Sequence, residues 1–138
     1  MKSTDAFFDV KDCIEIADED WTYNRVISEA AILVTDYSSV SYDVAYLNKP
    51  VIYCQFDEEK FYKTHTYQEG YFDYKRDGFG PVVYDEKTAM KSIINYIKNN
   101  CDVEKEYQKR VDDFFGYRDN NNCLRVSDAI RETIREVI

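Results

Sequence analysis

Short runs of apolar and β-branched residues alternate along this chain with stretches of helical period. That alternation admits few folds: it is the pattern of a parallel sheet whose strands are joined by crossover helices. The runs are Cys13 to Ala17, Ile32 to Thr35, Val51 to Cys54 and Val82 to Tyr84. Between the first two, Tyr23, Val26, Ile27, Ala30 and Ala31 follow the i, i+3, i+4, i+7, i+8 spacing of one buried helical face, with Asp20 placed to cap it. The spacing predicts a second helix from Ser38 or Ser39 to about Leu47, where Asn48-Lys49-Pro50 stops it and turns the chain into the third strand. Asp85 is placed to cap another helix with Ala89, Met90, Ile93, Ile94 and Ile97 on its apolar face, ending at Asn99-Asn100. Two more helices carry Val103, Tyr107, Val111 and Phe114, then Val126, Ile130, Ile134 and Val137. The predicted fold class is α/β, a Rossmann-like parallel sheet with flanking helices, in a single domain spanning residues 1–138 with helices over 102–138. Four strands are few for such a sheet. The chain is therefore expected to be part of something larger, with a strand or two supplied from outside it or a ragged edge strand from Ala6 to Val10.

Composition narrows the function classes. The 138 residues suit one domain with a real core. No apolar run is long enough for a membrane span, and the N-terminus lacks a basic-then-apolar leader, so a cytoplasmic protein is expected. With 27 acidic against 18 basic residues and a net charge of −9, the chain lacks the clustered cations that phosphate-backbone binding requires, which argues against a nucleic-acid partner. Cys13, Cys54, Cys101 and Cys123 lie far apart without a CxxC spacing; they read as reduced thiols, and no metal or cofactor is expected. Only four glycines are present and none forms a GxGxxG or Walker loop, so a phosphate would have to be held by another device.

Ile32-Leu33-Val34-Thr35-Asp36-Tyr37-Ser38-Ser39-Val40 offers one. It passes from a buried strand through polar residues directly into a helix, at the sheet edge where open α/β folds bind ligands. A helix N-terminus presents unpaired N–H groups and a partial positive charge, to which Ser38 and Ser39 would add hydroxyls. No Glu or Gln stands where a capping box would need it. The same serines also fit as ordinary caps, and Asp43, one turn on, fits either a surface carboxylate or an acceptor for a ligand hydroxyl.

Residues 56–81 form a connection longer than compact domains usually carry without a function, with a short helix expected over Asp57 to Tyr62. It holds Phe56, Phe61, Tyr62, Tyr67, Tyr71, Phe72 and Tyr74. These rings fit a satellite core under the loop, with Phe61 and Phe72 structural, or a lid in which His65, Tyr67 and Tyr71 close over a ligand. Near the end, Arg118, Asp119, Asn121, Asn122 and Arg125 bracket a helix start; Asn122 and Arg125 suit either a second anionic group or plain capping.

The run ILVTDYSSVSYDVAYLNKPVIYCQFD, continued through GYFDYKRDGFGPVVYDE and DNNNCLRV, resembles the CDP-glycerol glycerophosphotransferase family of teichoic acid synthesis over roughly residues 14–130. The resemblance implies the C-terminal, nucleotide-binding half of a GT-B transferase, with no cofactor and with CDP-glycerol as donor substrate. It implies that the pyrophosphate meets the helix starting at Ser38 and Ser39, with Thr35, Asp36, Tyr37 and Asp43 in the same motif. It also implies a polymer or lipid-linked acceptor held by a domain outside this chain, and a peripheral position at the inner face of the membrane for the full-length enzyme. The acceptor-side half and the family's histidine motifs have no counterpart here, so catalysis by this chain alone is not expected and no catalytic residue is assigned; His65 lies outside those motifs. Two other classes remain open. Asp36 at a strand end, with Asp18, Glu19 and Asp20 as an acidic group, fits a receiver-like phosphoacceptor module, although no Lys directly follows a later strand. A non-catalytic nucleotide-binding domain fits as well.

Overall fold

A computed structural model of the chain describes residues 17, 20–64 and 70–137. The expected strand from Cys13 to Ala17, apart from Ala17 itself, and the expected edge strand from Ala6 to Val10 lie outside the described residues, as do Asp18, Glu19, His65 and Tyr67. The chain divides into two compact units, residues 1–30 and residues 31–138.

In the first unit the helix is α1 (Tyr23–Glu29), with Ile27 as its buried residue. Its cap is Thr22 rather than Asp20: the Thr22 side chain accepts from the Arg25 amide at 3.3 Å, because only that position stands three residues before the first free N–H. The helix ends at Glu29, two residues short of the expected face, so Ala30, its C-cap, and Ala31 lie beyond it.

The second unit is built on a three-stranded parallel sheet, β1 (Leu33–Thr35), β2 (Val51–Cys54) and β3 (Val82–Val83), in that spatial order. Thr35 pairs with Tyr53 and Tyr53 with Val82, so the carboxyl ends of the three strands lie side by side. As the central strand, β2 is covered on both faces, and Val51, Ile52 and Tyr53 are fully buried. A continuous apolar run is what such a strand requires. Each aliphatic side chain buried there contributes about 1.5–3 kcal/mol.

Alternation along β2 sends its side chains to two cores. On one face Ile52, with Cys54 beside it, joins Val83 and Tyr96, packed by Ala89 and Ile93 of α5 (Glu86–Lys98). Asp85 caps α5 as expected, accepting from the Thr88 amide at 2.8 Å. The buried stripe of α5 differs from the expected one: Ala89, Ile93 and Tyr96 face the sheet, while Met90, Ile94 and Ile97 are exposed. On the other face lies an aromatic core. Ala45 of α2 (Val40–Tyr46), Phe79 and Val111 of α6 (Lys105–Phe114) form its centre, and Tyr42, Phe72 and Phe115 pack against it. Tyr42 and Phe72 approach at 5.3 Å between centroids, and Phe79 meets Phe114 at 5.4 Å. The rings of Tyr42, Phe72, Phe79, Phe114 and Phe115 are therefore structural.

The connection between β2 and β3 carries α3 (Glu58–Thr64) and α4 (Tyr74–Asp77). It returns through Gly80, where a Cβ would stand 1.7 Å from the Val51 carbonyl oxygen, so no other residue fits at this crossing. As expected, α2 ends at its C-cap Leu47, and Asn48 follows with a left-handed φ of 56° before Pro50. The last helix, α7 (Asn122–Val137), exposes Val126, Ile130 and Ile134. Among the described residues no helix is long and apolar enough to cross a membrane.

Candidate functional site at the carboxyl edge of the sheet

The step from β1 into α2 is short because Asp36, Tyr37, Ser38 and Ser39 alone separate strand from helix. Ser39 occupies the N-cap position with φ −66°, ψ −13°, and its side chain makes no capping bond. The Ser38 Oγ accepts from the Val40 amide at 3.4 Å, and the Ser38 carbonyl accepts from the Ser41 hydroxyl at 3.0 Å. Ser38 thus does the capping and Ser39 leaves its hydroxyl unused. The amides of Ser38 and Ser39 find no acceptor among the described residues. Asp36, Ser39 and Asp43 are exposed, Thr35 and Ser38 half-buried.

Tyr37 is turned into the connection. Its ring stacks on Phe61, its hydroxyl donates to Asp57 Oδ1 at 3.4 Å, and its carbonyl accepts from the Tyr74 hydroxyl at 3.1 Å. These contacts hold the loop from the side of α3 and α4. From below it is held by Ser41, fully buried beside Tyr53. Burial pushes the Tyr53 hydroxyl up from its ordinary range, partly offset by hydrogen bonding with Ser41 and with the Phe79 amide, so Tyr53 stays neutral and keeps α2 seated on β2.

The second wall is supplied by the end of β2. The Gln55 amide donates to the Val83 carbonyl at 2.8 Å, which extends the ladder one residue beyond Cys54. Gln55 is only 2 % exposed and its Nε2 has no hydrogen-bond partner. A buried amide left unpaired costs about 1–3 kcal/mol, so this group is an anomaly within an otherwise well-packed edge. Beside it Lys75 Nζ lies 3.4 Å from Glu58 Oε1 and 5.2 Å from the centroid of Tyr84. Hydrogen bonding with Tyr84 and then with Glu58 raises the Lys75 pKa, which keeps the ammonium charged. Sequence reasoning did not single out Gln55, Lys75 or Tyr84; a polar residue directly after the run VIYC was the available signal.

The remaining expected residues fall elsewhere. Tyr71 is exposed and lines a cleft of about 450 Å³ with Phe72, Arg76, Asp77 and Arg110; His65 and Tyr67, its expected companions, are outside the described residues. Arg125 is clamped by Asp119 at 2.6 and 2.9 Å, contacts Asn122 Oδ1 at 2.7 Å and lies 3.8 Å over the Tyr117 ring. Arg118 binds the Tyr46 carbonyl and Asn48 Oδ1, at the C-terminal end of α2 and therefore at the opposite end of that helix from Ser38 and Ser39.

Comparison with known proteins adds four findings. The family model described as CDP-Glycerol:Poly(glycerophosphate) glycerophosphotransferase matches residues 2–132. The chain is 41 % identical over 125 residues to the minor teichoic acid biosynthesis protein GgaB of Bacillus subtilis, covering 91 % of this chain and 13 % of that protein. It is 32 % identical over 129 residues to the teichoic acid poly(ribitol-phosphate) polymerase of Bacillus spizizenii, covering 92 % and 18 % respectively. Among solved structures it is similar to the wall teichoic acid polymerase TagF, with a TM-score of 0.55 and 28 % identity over 81 % of this chain and 27 % of that one. This likeness bears out the expected fold class, a parallel α/β sheet with flanking helices of the GT-B kind. The chain spans less than a third of the length of each of these proteins.

Proposed function

For a chain that belongs to the CDP-glycerol:poly(glycerophosphate) glycerophosphotransferase family, we propose that the carboxyl edge of the sheet binds the CDP-linked donor, with its pyrophosphate on the amides of Ser38 and Ser39. One observation carries this reading: two adjacent amides without acceptors stand at the start of a helix that follows directly on a buried strand. Such amides stabilise an anion locally even in a chain whose net charge of −9 repels it at long range. In this arrangement Asp43, on the same helical face as Ser39 and exposed, accepts from a hydroxyl of the donor, while Tyr37 positions the loop rather than touching the ligand.

In the whole enzyme an acceptor hydroxyl attacks the β-phosphorus of CDP-glycerol. The bond from that phosphorus to the bridging oxygen breaks, CMP departs, and the hydroxyl proton passes to a base. The α2 N-terminus stabilises the charge that builds on phosphate as this bond breaks. The base and the acceptor site belong to a part of the enzyme outside this chain, so the chain alone binds donor without turning it over. The same reading places the full-length enzyme in the cytoplasm at the inner face of the membrane, where it meets a polymer or lipid-linked acceptor.

Calorimetric titration with CDP and with CMP tests this. CDP, which brings the second phosphate to the amides, binds at least tenfold more tightly than CMP, a difference of about 1.4 kcal/mol. Equal affinities, or no binding of CDP, would refute it.

A further inference from the structure

Gln55 stands at the carboxyl end of the central strand, 2 % exposed, with its Nε2 unpartnered. Gln55 lines a cleft of about 330 Å³ together with Phe56, Asp57, Glu58, Glu59, Lys60 and Tyr84. Three carboxylates against two ammoniums, Lys60 in the wall and Lys75 on Glu58, leave this wall net negative, a poor seat for phosphate and a better one for a neutral group rich in O–H donors. A carboxamide suits the same group, because it can donate to and accept from a hydroxyl at once. The cleft also adjoins the loop of the donor site: Asp57, in its wall, accepts from the Tyr37 hydroxyl at 3.4 Å.

We infer that Gln55 is a specificity-determining residue whose carboxamide, with Asp57 in the same cleft, hydrogen-bonds the free hydroxyls of the polyol unit, glycerol or ribitol, carried by the donor or by the growing end of the acceptor. The buried amide is unpaired because its partner is the substrate. Sites built to bond a hydroxyl discriminate strongly against analogues that lack it, since the buried group is then left unsatisfied. The inference rests on reading this edge as the donor site, and the CDP arm of the experiment tests that reading separately.

The test observes the Gln55 side-chain NH2 resonances of the 15N-labelled chain during titration with cytidine, CDP, CDP-glycerol and glycerol 3-phosphate. The NH2 pair moves with CDP-glycerol or glycerol 3-phosphate and stays in place with cytidine and CDP. Movement with CDP-glycerol alone assigns the hydroxyls to the donor, and movement with glycerol 3-phosphate assigns them to the acceptor end. In parallel, Gln55→Leu, similar in volume and free of the unpaired amide, keeps or raises the melting temperature and loses at least tenfold in affinity for whichever polyol compound moves the NH2 pair of the parent chain. An NH2 pair unmoved by either polyol compound, or moved equally by cytidine, overturns the inference, as does an unchanged affinity of Gln55→Leu for the polyol compound that moves the pair. Failure of CDP to shift the backbone amides of residues 35–43 is a separate outcome, which overturns the donor-site reading itself.

Discussion

Tyr37 and Phe61 lie face to face, ring centroids 3.6 Å apart and planes 12° from parallel, and this pair ties the loop after β1 to helix α3. Neither ring belongs to the two buried cores. The pair therefore works as a local clamp on the segment that leads into Ser38 and Ser39. Phe61→Ala removes one half of it. The expected cost is about 1–2 kcal/mol of stability, below that of a fully buried ring because Phe61 is half-exposed, together with a several-fold weaker CDP affinity. Chemical denaturation and calorimetry on the same variant check both; a stability loss without any change in CDP affinity would mean that the clamp does not position the loop.

Ser39→Pro deletes one amide and little else. Ser39 already holds φ near the value proline imposes, and its N–H has no acceptor among the described residues. Stability should change by less than about 1 kcal/mol. If that amide holds phosphate, CDP binding should weaken at least tenfold, whereas Ser39→Ala, which removes only the unused hydroxyl, should bind CDP nearly as well as the parent chain.

The alkaline limb of stability reports the seat of α2. The Tyr53 hydroxyl is raised above the ordinary value of 10.0 by burial, so the unfolded chain loses this proton first as pH rises. Its contribution is complete below pH 10 and declines as pH climbs toward the raised folded value. Tyr53→Phe should unfold less steeply with rising pH, with a residual slope from Tyr42, Tyr96 and Tyr107, which burial also raises. At neutral pH the same variant loses about 1 kcal/mol because the Phe79 amide loses its acceptor. Urea denaturation between pH 7 and pH 11 measures both.

Much of this molecule can be read from its residues, and the parts that cannot have physical reasons. Asn48-Lys49-Pro50 dictated where α2 ends, and the run Val51 to Cys54 coincides with β2, because both depend on local backbone chemistry. The buried face of α5 was misjudged because Met90, Ile94 and Ile97 are more apolar than Tyr96, yet the ring of Tyr96 fills the space over Ile52 and Val83. The strand-to-helix step at Ser38 and Ser39 was visible as a pattern. The role of Tyr37 was not, since its partners Phe61, Asp57 and Tyr74 arrive from a connection whose path no periodicity encodes. Gln55 was invisible for a different reason: a polar residue after a strand reads as a turn, and only its burial without a partner sets it apart.

Acidification probes the start of α7. Arg125 holds the Asp119 carboxyl down to about 2, against an ordinary value of 3.8. A depressed carboxyl contributes above its unfolded value and stops contributing as pH falls through its folded one, so the Asp119–Arg125 clamp is intact above pH 4 and opens between there and about 2. Hydrogen exchange of the first turn of α7 should rise over that window in the parent chain. In Asp119→Asn it should already be raised at pH 5 and flat below it.

The central claim is that donor phosphate sits on the amides where β1 passes into α2. Backbone amide shifts during titration of the 15N-labelled chain with CDP test it directly. The largest shifts should fall within residues 35–43, with Ser38 and Ser39 moving downfield as their N–H groups acquire an acceptor, and inorganic phosphate should reproduce part of the effect at much higher concentration. Shifts confined to α5, α6 and α7, with residues 35–43 unmoved at saturating CDP, would contradict it.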